Sequence, residues 1–184
     1  MRIISGVARG TKLFTLEGKQ TRPTLDRVKE SLFNIIQNEI PDSIFLDLFS
    51  GSGAIGLEAA SRGSKKVIMC DKSKDAIKII NKNIEKTHLK GKVELYNLDY
   101  ETLLKTKINR KVDIVYIDPP YESEYAINAV KLLIEQNLAD DKTLMIIETD
   151  IEDIIKKKLE KLTVEIIDVR KYGRASLIFI SYIC

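Results

Sequence analysis

From residue 44 onward, apolar strand-like runs alternate with helical ones. This predicts an α/β protein: a doubly wound, mostly parallel seven-stranded sheet with a C-terminal antiparallel hairpin. Two further observations support that architecture. The strand segments are nearly continuous apolar runs, as strands covered on both faces are. The last two have no helix between them, so a short turn must pair them antiparallel.

The elements follow in order. "MRIISGVARGTKLFTLEG" has short apolar pieces split by glycines and reads as an extended or hairpin arm, residues 1–22, on a single core of residues 23–184. In "RPTLDRVKESLFNIIQNEI", Leu25, Val28, Leu32, Ile35, Ile36 and Ile40 fall near helical spacing after a Pro23-Thr24 start. "IFLDLF" is a strand and "GAIGLEAASRG" a short helix. "KVIMCD" is a strand, and "SKDAIKIINKNIEKTH" a helix with Ala76, Ile77, Ile80 and Ile84 inward. "KVELYN" is a strand followed by a helical turn around Thr102–Lys105. "VDIVYID", a helix over "SEYAINAVKLLIEQN", and "TLMIIET" continue the alternation. "IEDIIKKKLEKL" is a helix whose three adjacent lysines make its wet face. "VEIIDVRKY" and "ASLIFISYI" form the closing hairpin across Gly173.

With 184 residues, 44% hydrophobic and 31% charged, the chain is long enough for one well-buried domain and contains no repeat or linker. No apolar run reaches membrane-spanning length and no signal peptide precedes Arg2-Ile3-Ile4, so a cytoplasmic setting is expected. Cys70 and Cys184 lack metal spacing, and the one histidine, His88, sits at a predicted helix end. Zinc chemistry and histidine-based triads therefore have little to work with, and no metal is expected. The charge is unevenly placed. Residues 1–29 carry Arg2, Arg9, Lys12, Lys19, Arg22, Arg27 and Lys29 against Glu17 and Asp26, an excess of five in a chain whose total is +3. A basic arm on a near-neutral body suits a polyanion.

In sheets of this kind ligands bind beyond the carboxyl ends of the strands. The first such loop, Ser50-Gly51-Ser52-Gly53-Ala54-Ile55-Gly56, matches G-x-G-x-x-G between a strand and a helix. Glycine admits close backbone approach, and the helix start offers free N–H groups. Asp71, 20 residues after Gly51, is placed to take two ribose hydroxyls. Taken alone, this loop suits NAD and S-adenosylmethionine (AdoMet) equally. Asp47, inside the preceding strand, can reach the ammonium of an amino acid but would sit awkwardly beside a pyrophosphate. Asp99 follows the third strand, where it serves either as acceptor for an adenine amine or as a helix N-cap.

The fourth strand ends in Asp118-Pro119-Pro120-Tyr121. An exocyclic amine on a base is a poor nucleophile because its lone pair is delocalised. Acceptors on its two N–H groups would make it more reactive and stabilise the positive charge that develops as methyl arrives. The Asp118 carboxylate and the Pro119 carbonyl can be those acceptors, held stiff by the paired prolines. Tyr121 offers a face on which a flipped base can stack.

This tetrapeptide resembles the (Asp/Asn/Ser)-Pro-Pro-(Tyr/Phe) signature of AdoMet-dependent amino methyltransferases. With "RIISGVARGTKL", "RPTLDRVKESLFN", "FLDLFSGSGAIGLEAASRG" and "YGRASL", the chain resembles, over nearly its whole length, the bacterial 16S rRNA guanine-N2 methyltransferases of the RsmD type. The resemblance implies a Rossmann-like class I methyltransferase fold that binds AdoMet and yields S-adenosylhomocysteine. Thr24, Asp47, Phe49, Gly51, Ser52, Gly53, Asp71, Asp99 and Tyr100 would then bind the cofactor, and Asp118, Pro119, Pro120 and Tyr121 would be catalytic. Arg2, Arg9, Lys12, Arg22 and Arg27 would contact RNA. The implied partner is 16S rRNA in the small subunit or its assembly intermediate, and the implied state is a monomer. The family often has glutamate where this chain has Asp71. The alternatives are a DNA adenine-N6 methyltransferase, which shares the tetrapeptide, an NAD-dependent oxidoreductase and a non-catalytic RNA-binding module.

Overall fold

The computed structural model describes residues 1–16, 23–120 and 123–183. Helix α1 (Pro23–Ile35) precedes the alternating units β1 (Ile44–Asp47), α2 (Ala54–Ser61), β2 (Lys66–Cys70), α3 (Lys74–Thr87), β3 (Val93–Tyr96), α4 (Tyr100–Thr106), β4 (Ile114–Ile117), α5 (Ser123–Glu135), β5 (Leu144–Thr149) and α6 (Glu152–Leu159). Strands β6 (Val164–Tyr172) and β7 (Ala175–Tyr182) follow. The sheet order is β3-β2-β1-β4-β5-β7-β6. Strands β1–β5 pair in parallel, and β7 inserts antiparallel between β5 and β6. The expected seven-stranded sheet with its antiparallel hairpin is therefore present, turning at Gly173 with φ 64°.

Strand alternation divides the core into two layers. Leu46, Ile68, Cys70, Val115, Ile117 and Ile147 face one side, against Leu103, Leu104, Val130, Leu133 and Leu159 from α4, α5 and α6. Phe45, Val67, Met69, Ile114, Tyr116 and Ile146 face the other, against Leu32, Phe33, Leu57, Ile80 and Ile84 from α1, α2 and α3. Burying both faces accounts for the unbroken apolar strands. In α1 Val28, Leu32 and Phe33 are the inward positions, whereas Ile35, the last residue of the helix, is 38% exposed. In α3, Ala76, Ile80 and Ile84 are buried as expected and Ile77 only partly so. Ser73 caps that helix, and the exposed His88 closes it with φ 59°.

The arm does not stand away from the body. Ile3, Ala8 and Leu13 are buried in the α1–α3 layer. Arg2 and Lys12 form an antiparallel bridge, and the intervening backbone folds back through Gly10 N–H to the Ile3 carbonyl at 2.8 Å. Glu58, fully buried on α2, fastens it: its carboxylate accepts the N–H groups of Ile4 (2.8 Å) and Ser5 (2.9 Å). The same carboxylate pairs with Lys29 (3.2 Å) and Arg62 (2.8 Å). Lys29, counted in the basic excess of the N-terminal region, thus turns inward at 2% exposure. Burial lowers its pKa against the pull of Glu58. Among the described residues, no helix is long and apolar enough to cross a membrane.

Candidate active site

The order reverses between β1 and β4, where crossovers leave the sheet in opposite directions and a crevice opens at the carboxyl edge. A cavity of about 990 Å³ occupies that edge. Its walls are built strand by strand: Asp47–Ser52 after β1, Asp71–Ser73 after β2, Leu98–Glu101 after β3, Asp118–Pro120 after β4 and Glu148–Ile151 after β5. Arg174, from the β6–β7 turn, and Ala175, which opens β7, add to the wall.

The glycine loop is held by geometry that side chains rarely adopt. Gly51 and Gly53 have φ of 56° and 77°, and Gly53 opens α2. Gly56 does a different job. A Cβ there would lie 2.4 Å from the Met69 sulfur, so this glycine lets α2 pack on β2. Asp71 supports the loop as well as lining the cavity, because its carboxylate accepts the Gly51 N–H (2.9 Å) and the Ser73 N–H (2.8 Å).

Asp47 ends β1 with only 1% exposure, and its carboxylate accepts the Gly56 N–H at 3.1 Å. Burial pushes its pKa up to about 7; the Gly56 hydrogen bond opposes the rise and the nearby Asp71 charge adds to it. A cation beside such a buried acid would relieve that penalty. Asp99 performs the capping role: its two oxygens accept the Thr102 N–H (2.9 Å) and hydroxyl (2.7 Å), which lowers its pKa. It still lines the cavity, with further lone pairs available. Phe49 and Tyr100 form an aromatic wall with ring centroids 5.2 Å apart, and Tyr125 extends it at 5.7 Å from Tyr100. Ser52 lines the cavity too, and its carbonyl is held at 2.9 Å by the side-chain amide of Asn83.

Asp118, Pro119 and Pro120 border the same cavity, with Asp118 exposed at its mouth. Tyr121, Arg22 and the Thr24 side chain lie outside the described residues. Arg2, Arg9 and Lys12 are on the arm and Arg27 on α1, and all four are exposed. Sequence reasoning missed Tyr125, Arg174 and a polar pair on the cavity floor, the buried Tyr116 and the half-buried Glu148. Tyr116 donates its hydroxyl to Glu148. Burial raises the pKa of both. The signal for the pair was present: Tyr116 precedes Asp118 by one strand period, and Glu148 is an acid closing an apolar strand. Cys70 is a buried thiol pushed up to about 12, and hence inert.

This sheet order with its antiparallel β7, carrying a nucleotide-sized cleft at the switch point, defines the class I methyltransferase fold. The residues fit AdoMet: a buried carboxylate with no ion-pair partner among the described residues, a glycine turn open to close approach, a carboxylate after β2 and an aromatic wall. A family model described as Conserved hypothetical protein 95 matches residues 1–181, and the chain belongs to this family, the RsmD group of AdoMet-dependent methyltransferases. It is 38% identical to the Ribosomal RNA small subunit methyltransferase D of Haemophilus influenzae, over 82% of this chain and 79% of the relative. It is 33% identical to the protein of that name from Escherichia coli K12, over 83% and 76%. Among solved structures, an Escherichia coli protein provisionally named methyltransferase yhhF superposes with a TM-score of 0.83 at 25% identity, covering 100% of this chain and 98% of that one. Membership of this family sets aside the NAD-dependent oxidoreductase and the non-catalytic module.

Proposed function

We propose that the chain transfers the methyl group of AdoMet to the exocyclic N2 of a guanine in 16S rRNA, acting on the small ribosomal subunit or its assembly intermediate as a cytoplasmic monomer. One juxtaposition supports a base amine as acceptor: Asp118, Pro119 and Pro120 border the same cavity as the glycine loop. The names of the relatives support RNA over DNA.

In this reading Asp47 meets the methionine ammonium, Gly51, Ser52 and Gly53 surround the methionine end, and Asp71 takes the ribose hydroxyls. Asp99 accepts from the adenine amine, while Phe49 and Tyr100 flank the adenine ring and Thr24 lies nearby. When bound, AdoMet supplies an electrophilic methyl on a positively charged sulfur. The Asp118 carboxylate and the Pro119 carbonyl accept the two N–H groups of the target amine, orienting its lone pair and stabilising the charge it acquires. Pro120 keeps that corner stiff, and Tyr121 stacks on the extruded base. Arg2, Arg9, Lys12, Arg22 and Arg27 take phosphates.

The test is transfer of labelled methyl to small subunits lacking the modification, followed by nucleoside analysis. N2-methylguanine in 16S rRNA is expected. Asp118→Ala should reduce transfer by at least about a hundredfold with AdoMet affinity unchanged. Label found as N6-methyladenine in DNA, or full activity in that variant, would overturn the reading.

A further inference from the structure

Phe14 is 46% exposed although Leu13 beside it is buried, and its mount is unusually firm. Asn83 on α3, itself fully buried, accepts the Phe14 N–H at 2.8 Å and donates to the Phe14 carbonyl at 3.0 Å. The ring is therefore presented to solvent from a backbone tied to α3 by both its N–H and its carbonyl. Two lysines one helical turn apart on α3 lie against it: Lys86 Nζ is 4.5 Å and Lys82 Nζ 6.0 Å from the ring centroid. Arg2 and Lys12, bridged across the arm, lie in the same segment. The surroundings are predominantly of one sign, with Glu85 the acid on that stretch of α3. Leu16, two residues on, lines the cavity, so the ring stands about 7 Å of extended chain from the cleft wall.

A protein partner's hot spot would be rimmed by mixed polar groups. A rigid aromatic face among cations instead matches the way single-stranded nucleic acid is held, bases on rings and phosphates on lysines. We infer that Phe14, with Lys82 and Lys86, is a stacking platform for an unpaired nucleotide flanking the target base, the lysines taking the adjoining phosphates. The inference rests on the RNA reading above and extends the interface from the arm to the outer face of α3.

The experiment is fluorescence anisotropy of the full chain with a labelled single-stranded RNA 12-mer, across a salt series. Wild type is compared with Phe14→Ala, Phe14→Leu, Phe14→Trp and the double variant Lys82→Ala/Lys86→Ala. Thermal unfolding and AdoMet calorimetry control for folding. Alanine and leucine should each weaken binding roughly tenfold and tryptophan should preserve it, because stacking needs a flat face and not merely apolar bulk. The double variant should flatten the log–log salt slope by about 1.4. If leucine binds like wild type, or the salt slope of the double variant is unchanged, the platform falls while the RNA reading stands. If wild type binds no RNA, the RNA reading falls and takes the platform with it.

Discussion

Asp47 offers the most quantitative test of how the cleft works. Its pKa rises from 3.8 to about 7 because a carboxylate with 1% exposure is deprived of water. An acid whose folded pKa is raised penalises the folded state wherever it ionises. The penalty is fully present above about pH 7 and disappears as pH falls through the unfolded value. At about 1.4 kcal/mol per pKa unit, it amounts to about 4 kcal/mol at pH 8, about 2 at pH 5 and under about 1 at pH 4. An asparagine side chain in its place would keep an oxygen for the Gly56 N–H and carry no charge. Asp47→Asn should therefore make the ligand-free protein more stable by up to about 4 kcal/mol at pH 8, a gain of roughly 8–16 °C in melting temperature, shrinking steadily toward pH 4. Saturating AdoMet should stabilise wild type and leave the variant nearly unmoved, since the buried charge that would receive the ammonium is gone. Denaturant titrations of both proteins at pH 5 and pH 8, with and without AdoMet, measure the stability gap and its response to the ligand. A variant less stable than wild type at pH 8, or a gap equal at the two pH values, would refute the account of Asp47 as a buried anion awaiting a cation.

Two further predictions concern the docked arm. Gly6 has φ +83°, and a Cβ there would lie 1.9 Å from the Ser61 carbonyl oxygen, so Gly6→Ala should cost at least about 2 kcal/mol. Gly10, with φ +85° and open space around it, is the control and should lose only the backbone component, about 1 kcal/mol. Hydrogen exchange should quicken at Ile3–Leu13 in the first variant, and unchanged protection there would contradict the packing. Glu58→Gln leaves Lys29 buried without its counter-charge and should cost about 3–5 kcal/mol. That loss should shrink as pH rises, because a buried lysine with a lowered pKa can then shed its proton; urea unfolding at pH 6 and pH 9 reads it, and a loss independent of pH contradicts the ion cluster.

Much of this molecule is legible in one dimension, and the exceptions share a cause. Strands such as β2, apolar from residue 67 on, and β4 (Ile114–Ile117) announce themselves because burial on both faces demands unbroken apolar residues. The glycine turn is readable because left-handed backbone is a glycine speciality, and Asp71 because a carboxylate at that spacing reaches the loop. Asn83 was invisible: it lies on the apolar face of α3 beside Ile80 and Ile84, and its partners are 69 and 31 residues away. Glu58 was equally hidden inside an apolar helix, its partners drawn from the arm, α1 and the end of α2. The Tyr116–Glu148 pair joins two strands whose adjacency only the sheet order reveals. Local rules recover what local geometry dictates; long-range polar matches await the assembled fold.

The way residues 1–16 are seated on α2 and α3 carries a thermodynamic consequence. A loose cationic tail must freeze when it meets a polyanion, and that loss of conformational freedom subtracts from affinity. Here the freezing belongs to folding itself, through Ile3, Leu13 and the Glu58 clasp. On the proposed reading, Arg2, Lys12 and Phe14 would meet an incoming strand as a surface already finished before the partner arrives.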